Sequence, residues 1–142
     1  MRFWDSSAIV PLLLEQTGSE EAEGWLSEDK HPAIWTLTPT EVISALRRLV
    51  REGALDENAA DLVEARLCEF YRACHVVIDV ERVKALAARL LRLHSLRAAD
   101  ALQLGAALKW CEGRTEGKVL HTLDDRLALA AHREGFRVIP WP

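Results

Sequence analysis

The stretch Arg2-Phe3-Trp4-Asp5-Ser6-Ser7-Ala8-Ile9-Val10 joins a short apolar segment to a serine pair through one acidic residue. Its first part predicts a buried strand that ends at Asp5. The serine pair is a favourable cap for a helix that runs to about Glu15. The stretch therefore predicts a strand followed directly by a helix, with a carboxylate at the junction.

The same alternation continues along the chain. Apolar segments at 33–37, 76–78, 119–122 and 137–139 predict four more strands, separated by segments with helical periodicity. Short apolar strands alternating with helices are typical of a parallel sheet covered on both faces. Since no repeat, low-complexity tract or linker interrupts the pattern, we expect one doubly wound α/β domain over residues 1–142.

Capping signals mark the start of several predicted helices. Thr38 precedes Pro39 and lies three residues before Glu41, which is the pattern of an N-cap, a first-turn proline and a capping box. Ser95 is expected to cap a helix that continues to about Trp110. One of the two acids at 124–125 is expected to open the last helix.

The composition is that of an ordinary globular protein. The 142 residues are 49% hydrophobic and 28% charged, with a net charge of −4, which excludes a disordered chain and a uniformly basic surface. We expect no signal peptide and no membrane span, because no apolar run is long enough. Three cysteines without a zinc or redox spacing favour a reduced, cytoplasmic protein. The five histidines show no metal-binding pattern, and we expect them at the surface or half-buried.

Four acidic residues fall at one edge of the predicted sheet. Asp5 ends the first strand, Glu41 lies in the first helical turn after the second, and Asp124 follows the fourth. Asp100 lies near the start of a helix whose neighbouring residues are small or apolar. Because the carboxyl ends of parallel strands share one edge, where such folds bind ligands, we expect these four side chains to meet.

Carboxylates that meet in this way need a cation. Like charges within about 4–6 Å raise one another's pKa, and burial adds to the effect. Mg²⁺ and Mn²⁺ prefer oxygen ligands, lower the pKa of a bound water and polarise a phosphoryl oxygen. The pattern therefore favours metal-dependent hydrolysis of phosphodiesters.

Each acid also has a simpler structural explanation. Glu41 fits a capping box, Asp124 an N-cap and Asp5 a turn, and Asp100 can pair with Arg97 one turn earlier. This explanation needs four unrelated causes at one edge of the sheet. From the pattern alone, both interpretations stay open.

Four segments resemble, in order, the motifs of PIN-domain nucleases of the VapC toxin type. They are residues 3–10, 40–46, 96–104 and 120–128, and together they span essentially the whole chain. The resemblance implies a PIN-like, doubly wound five-stranded parallel sheet with helices on both faces. It further implies a cytoplasmic, Mg²⁺-dependent endoribonuclease that acts as a toxin, is neutralised by a cognate antitoxin protein, and forms a homodimer.

The resemblance also implies the roles of individual residues. Asp5, Asp100 and Asp124 would be ligands of Mg²⁺ or Mn²⁺, and Glu41 would bind the metal or orient the attacking water. Asp125 is an alternative to its neighbour, although Asp124 has the spacing of the motif.

Supporting residues follow from the same segments. Ser6 and Thr122 match hydroxyl positions that hold the carboxylates. Arg48 lies two helical turns after the second acid and Arg97 one turn before the third, so both are candidates for contacts with RNA phosphates. A solvated helix face is the alternative for each arginine.

Two other classes of function compete with this interpretation. A catalytically silent PIN-like module would act through protein binding alone, but all four acids are present. A receiver-like signalling module would need an acceptor aspartate after the third strand and a lysine near the last strand. Asp79 is a poor acceptor, and no lysine follows Lys118. We therefore expect an endoribonuclease that hydrolyses RNA phosphodiester bonds as the toxin of a toxin–antitoxin pair.

Overall fold

Five strands and seven helices make up the computed structural model, which describes residues 1–142. The strands are β1 (Phe3–Trp4), β2 (Ala33–Trp35), β3 (His75–Val77), β4 (Val119–His121) and β5 (Arg137–Ile139). The helices are α1 (Ser6–Leu13), α2 (Ser19–Ser27), α3 (Thr38–Arg51), α4 (Glu57–Ala73), α5 (Val80–Leu93), α6 (Ala98–Trp110) and α7 (Asp125–Arg133). None of these helices combines the length and the apolar character that a membrane crossing requires.

The strands form one parallel sheet in the order β3-β2-β1-β4-β5. The chain builds the sheet outward from β1 through β2 to β3, and then adds β4 and β5 on the other side of β1. The order therefore reverses between β1 and β4, the position where doubly wound sheets bind ligands. This arrangement confirms the predicted five-stranded parallel sheet.

Helices cover both faces of the sheet, as predicted. Successive side chains of a strand point to opposite faces. Phe3 and Trp35 belong to the core formed with α5, α6 and α7. Trp4 and Ile34 belong to the second core, formed with α1, α3 and α4. The two cores hold the sheet between them and fix the position of its carboxyl edge.

The starts of α1 and α3 differ from the sequence prediction. Asp5 itself caps α1, because its side chain accepts a hydrogen bond from the backbone N–H of Ser7. Helix α3 begins at Thr38 without a side-chain cap. The predicted capping box does not form because Thr38 is fully buried and bonds Gln103 of α6, 65 residues away. A tertiary hydrogen bond has replaced the local one.

The expectation that every histidine lies at the surface or half-buried is wrong for His121. Its ring is fully buried and stacks on Trp25, with the ring centroids 5.1 Å apart. Nε2 lies 3.4 Å from the guanidinium of Arg2, which can only donate, so Nδ1 carries the proton towards the carbonyl of Ile139 at 3.0 Å. Burial lowers the pKa of His121 to about 4, so the ring is neutral near pH 7.

Helices α5 and α6 make their closest approach at Gly105. A Cβ at this position would lie 3.0 Å from the backbone oxygen of Val83 and 3.3 Å from the backbone nitrogen of Ala87. A side chain at this position would force the neighbouring backbone to shift by a few tenths of an ångström. The contact matters for the site because it fixes the position of α6, whose first turn carries Asp100.

Candidate active site

The structure brings the four predicted acids to the carboxyl edge of the sheet. Asp5 follows β1 and Asp124 follows the neighbouring strand β4, while Glu41 and Asp100 lie in the first turns of α3 and α6. Their charges interact: Asp124 and Asp5 raise the pKa of Asp100, and Asp5 and Asp100 raise that of Glu41. The four side chains therefore form one electrostatically coupled group, which we call the acidic cluster.

Asp5 is the most deeply buried member of the acidic cluster, with 4% of its surface exposed. Its Oδ2 accepts hydrogen bonds from the hydroxyls of Ser7 and Thr122, the latter at 2.9 Å, and from the backbone N–H of Ser7 at 3.2 Å. The Ser6 hydroxyl lies 3.3 Å from Oδ1. Burial raises the pKa of Asp5 despite these hydrogen bonds, which favour the charged form.

Glu41 is held from two sides. Its Oε2 accepts from the Ser6 hydroxyl at 2.9 Å, and its Oε1 accepts from Nε2 of Gln103 at 3.2 Å. The same Nε2 lies 3.0 Å from the Thr38 hydroxyl. Burial raises the pKa of Glu41 to about 7, the Ser6 hydrogen bond opposes this, and the charge of Asp5 adds to it. The carboxyl of Glu41 is therefore protonated more readily near neutral pH than the carboxyl of an ordinary glutamate.

Asp124 and Asp100 lie on the other side of the acidic cluster. Asp124 caps α7, since Oδ1 accepts from the backbone N–H of Leu127 at 2.8 Å. Oδ2 of Asp100 is 3.4 Å from the backbone nitrogen of Arg97, the residue that precedes α6. Helix α6 therefore begins at Ala98, three residues after the predicted cap Ser95. Burial raises the pKa of Asp100, and the charge of Asp124 raises it further.

The acidic cluster offers the right donor chemistry for a hard cation but not a finished coordination sphere. No three Asp, Glu, His or Cys side chains are placed to hold a metal ion as they stand. Oδ1 of Asp100 and Oδ2 of Asp124 have no hydrogen-bond partner within the protein. Like charges that raise one another's pKa become compatible when a divalent ion binds. The chemistry of these oxygen donors therefore fits Mg²⁺ or Mn²⁺.

Two contributors to the site were not predicted. Ser7 donates to Asp5, lies 3.2 Å from the Thr122 hydroxyl and accepts from the backbone N–H of Leu123 at 2.8 Å. It thereby ties α1 to the segment after β4. The buried Gln103 could have been found, because it is a polar residue among small and apolar neighbours, the same signal that singled out Asp100. Ser7 carries no comparable signal.

Two clefts open on either side of the acidic cluster. The first, about 490 Å³, runs from Glu41 to Arg48 between α1 and α3. The second, about 480 Å³, contains Asp100, Asp124 and Asp125 and is bordered by Arg97 and Arg126. Both predicted arginines are exposed and line these clefts. Arg126 is a further cation at the site that the sequence did not indicate.

Comparison with protein families and curated proteins gives consistent matches. A profile of the PIN domain family matches residues 2–133. Ribonuclease VapC45 of Mycobacterium tuberculosis (strain CDC 1551 / Oshkosh) and Ribonuclease VapC49 of M. tuberculosis (strain ATCC 25618 / H37Rv) are each 33% identical over 138 residues, 97% of this chain and 94% of the relative. Ribonuclease VapC3 of Pyrobaculum aerophilum is 33% identical over 124 residues, 87% of this chain and 89% of the relative.

Solved structures share the same architecture. The crystal structure of FitAcB from Neisseria gonorrhoeae superposes with a TM-score of 0.62 at 20% identity, covering 97% of this chain and 96% of that chain. The structure of FitAB bound to an IR36 DNA fragment gives a TM-score of 0.61 at 20% identity, covering 98% and 94%. At this level of identity, the likeness concerns the fold alone.

Proposed function

This chain belongs to the PIN domain family, and we propose that it is an endoribonuclease that hydrolyses RNA phosphodiester bonds as the toxin of a toxin–antitoxin pair. The family match confirms the predicted resemblance. The observation that carries the proposal is the acidic cluster at the reversal point of the sheet. Relatives that match nearly the whole chain are named as ribonucleases, and this supports the proposal independently of the structure.

We propose that the enzyme uses Mg²⁺ or Mn²⁺, with Asp5, Asp100 and Asp124 as ligands. Asp124 is preferred to Asp125 because it is the one whose charge acts on Asp100. Such an ion, when bound, lowers the pKa of a coordinated water and polarises a phosphoryl oxygen.

The remaining chemistry is carried by the protein's own side chains. Ser7 and Thr122 hold Asp5 in one orientation, and Ser6 joins Asp5 to Glu41. The raised pKa of Glu41, about 7, suits a group that accepts a proton from the attacking water at neutral pH. The family resemblance implies that this hydrolysis leaves a 5′-phosphate and a 3′-hydroxyl.

RNA has to approach a negatively charged centre, so cations must offset the repulsion of its phosphates. Arg48 and Arg97 border the two clefts on either side of the acidic cluster. We assign them to contacts with backbone phosphates, which position a strand without reading its sequence.

The resemblance also supports a set of partners and a location. We propose a cognate antitoxin protein that neutralises the enzyme, a homodimer as the working form, and one PIN-like domain over residues 1–142. We propose a cytoplasmic location because the substrate is RNA.

Cleavage of RNA by the purified protein tests the proposal. We expect single-stranded or structured RNA to be cut with Mg²⁺ or Mn²⁺, and cutting to stop when EDTA is added. Asp5→Asn and Asp100→Asn should each abolish cutting and keep the fold, whereas Glu69→Gln, an exposed acid remote from the acidic cluster, should cut normally. Full activity in either aspartate variant contradicts the assignment, and an inactive wild type favours a silent, protein-binding module.

A further inference from the structure

The first cleft, which runs from Glu41 to Arg48, is a groove between α1 and α3. We call it the α1–α3 groove. Val10 of α1 and Ala45 of α3 form its apolar part. Its volume of about 490 Å³ lies within the range of about 300–1,000 Å³ that is usual for ligand pockets. The groove is therefore large enough for a nucleotide.

One wall of the groove carries polar side chains at regular helical spacing. Thr40, Ser44 and Arg48 follow one another at intervals of four residues and so share one face of α3. All three are exposed, and none of their side chains has a hydrogen-bond partner in the protein. The rise of 1.5 Å per residue places Arg48 about 10 Å along the helix axis from Glu41.

The neighbouring Arg47, by contrast, is held by ion pairs within the protein. Arg47 is bound by three acids of α4: Glu57 at 2.7 Å, Asp61 at 3.1 Å and Glu64 at 2.7 Å. It therefore joins α3 to α4 and is not available to a ligand. Arg48 points its charge into the groove without an acidic partner, and a guanidinium of this kind is suited to bind a phosphate through two parallel hydrogen bonds.

We propose that the α1–α3 groove is a nucleotide subsite that holds the RNA strand on one side of the scissile phosphate, with Arg48 paired to a backbone phosphate. This inference rests on the ribonuclease function proposed above. With the scissile phosphate at the acidic cluster, the phosphate at Arg48 lies only a few nucleotides away along the strand. Ser44 lies between Glu41 and Arg48 along α3, so its hydroxyl is placed to meet the intervening ribose, whose 2′-hydroxyl both donates and accepts hydrogen bonds.

A ladder of substrates tests the subsite. After wild-type cleavage sites have been mapped on an RNA pool, oligonucleotides are shortened one nucleotide at a time from each end. We expect Arg48→Ala to lower kcat/KM about 3- to 10-fold on the long substrate, and the loss to disappear when shortening from one end removes the bound phosphate. Shortening from the other end should leave the loss intact. Arg48→Lys keeps the positive charge but loses the paired hydrogen bonds, so it should recover only part of the activity that Arg48→Ala loses.

Arg51→Ala is the matched control, because Arg51 is an exposed cation of the same helix that does not line the groove. A binding measurement complements the kinetics: with Asp100→Asn, which prevents cleavage, adding Arg48→Ala should reduce the salt dependence of oligonucleotide binding by about 0.7 in log–log slope. An effect of Arg48→Ala that is absent, independent of length, or matched by Arg51→Ala overturns the subsite. Absence of any wild-type cleavage refutes the underlying function instead.

Discussion

At the scale of single residues, neutral donors hold the buried carboxylates of the site. Asp5 accepts from Ser7 and Thr122, and Glu41 accepts from Ser6 and Gln103. Hydroxyls and amides orient a carboxylate but bring no positive charge, so burial still raises the pKa of both acids. The carboxylates of Asp5 and Glu41 are therefore held in fixed orientations, and their negative charge is not neutralised by the protein. Both features favour binding of a divalent cation.

Gln103 is expected to position Glu41 for catalysis. Gln103→Met keeps the volume but removes the hydrogen bond to the carboxylate, and we expect kcat to fall about tenfold with KM nearly unchanged, the equivalent of one hydrogen bond to a charged group. Steady-state cleavage kinetics measure this split. Thr38→Val is the control, since it removes the other partner of Gln103 and should leave kcat within about twofold. Equal losses of kcat in both variants would show that Gln103 is merely structural.

The sequence predicts the four acids and, through the family resemblance, the supporting hydroxyls of Ser6 and Thr122, but it does not predict the contribution of Gln103. Asp5 and Asp124 follow strand ends, and a strand end is a local feature of the sequence. Gln103 and Thr38 are 65 residues apart, and their pairing depends on how the sheet places α6 beside the start of α3, which no local pattern specifies. Tertiary contacts of this kind decide which carboxylate oxygens stay free.

At the scale of elements, the local sequence pattern predicts the bounds of an element correctly where contacts between nearby residues determine them. The bounds of β5 (Arg137–Ile139) agree with the prediction. Strand β3 is instead shifted by one residue, because His75 pairs with Ala33 of β2 and Ile78 is left 70% exposed. The register of an edge strand is set by its neighbour in the sheet, so composition alone placed it wrongly.

The close packing of α5 on α6 predicts a cost for any side chain at Gly105. Gly105→Ala should lower the free energy of unfolding by about 1–3 kcal/mol, because the new Cβ meets the rigid backbone of Val83 at 3.0 Å. Gly24→Ala in α2 is the control, since no atom lies within 4 Å of the position that its new methyl group would occupy and alanine favours a helix by about 1 kcal/mol. Urea unfolding should show opposite signs, and a stabilised Gly105→Ala would contradict the proposed close packing.

A second link between elements predicts pH-dependent stability. Glu134 at the end of α7 bonds Arg89 and His94 of the α5 end, each at 2.8 Å. Burial opposes the shift, but the hydrogen bonds from His94 and Arg89 outweigh it and lower the pKa of Glu134. Its contribution to stability is therefore present above the unfolded-state pKa and is lost as the pH falls through the lower folded-state pKa.

Glu134→Gln should lower the Tm by roughly 3 °C at pH 7, and the difference from wild type should close as the pH falls below about 4. Thermal unfolding followed by circular dichroism between pH 3 and pH 7 measures it. Glu69→Gln, which removes an exposed and unpaired acid of α4, should track the wild type throughout. A difference at Glu134 that persists unchanged at pH 3 would exclude the ion-pair explanation.

At the scale of the whole molecule, the strand order determines where charge accumulates. Because β1 and β4 are neighbours, the segments that follow them meet, and α3 and α6 begin at the same edge. The fold thus concentrates four carboxylates in a molecule whose net charge is only −4. Repulsion among these carboxylates lowers the free energy of unfolding of the metal-free protein. A divalent cation that neutralises the acidic cluster should therefore stabilise the entire fold.

Metal binding should therefore be visible as a change in global stability, independently of RNA cleavage. Saturating Mg²⁺ or Mn²⁺ should raise the Tm of the wild type by roughly 5–10 °C, as expected for a ligand that binds only the folded state. Without metal, Asp100→Asn should be at least as stable as the wild type, because it removes a charge that repels Asp5 and Asp124. With metal, Asp100→Asn should show little further stabilisation, whereas Glu69→Gln should respond like the wild type. A full metal-induced shift in Asp100→Asn would place the cation elsewhere in the molecule and would remove the physical basis for assigning hydrolysis to the acidic cluster.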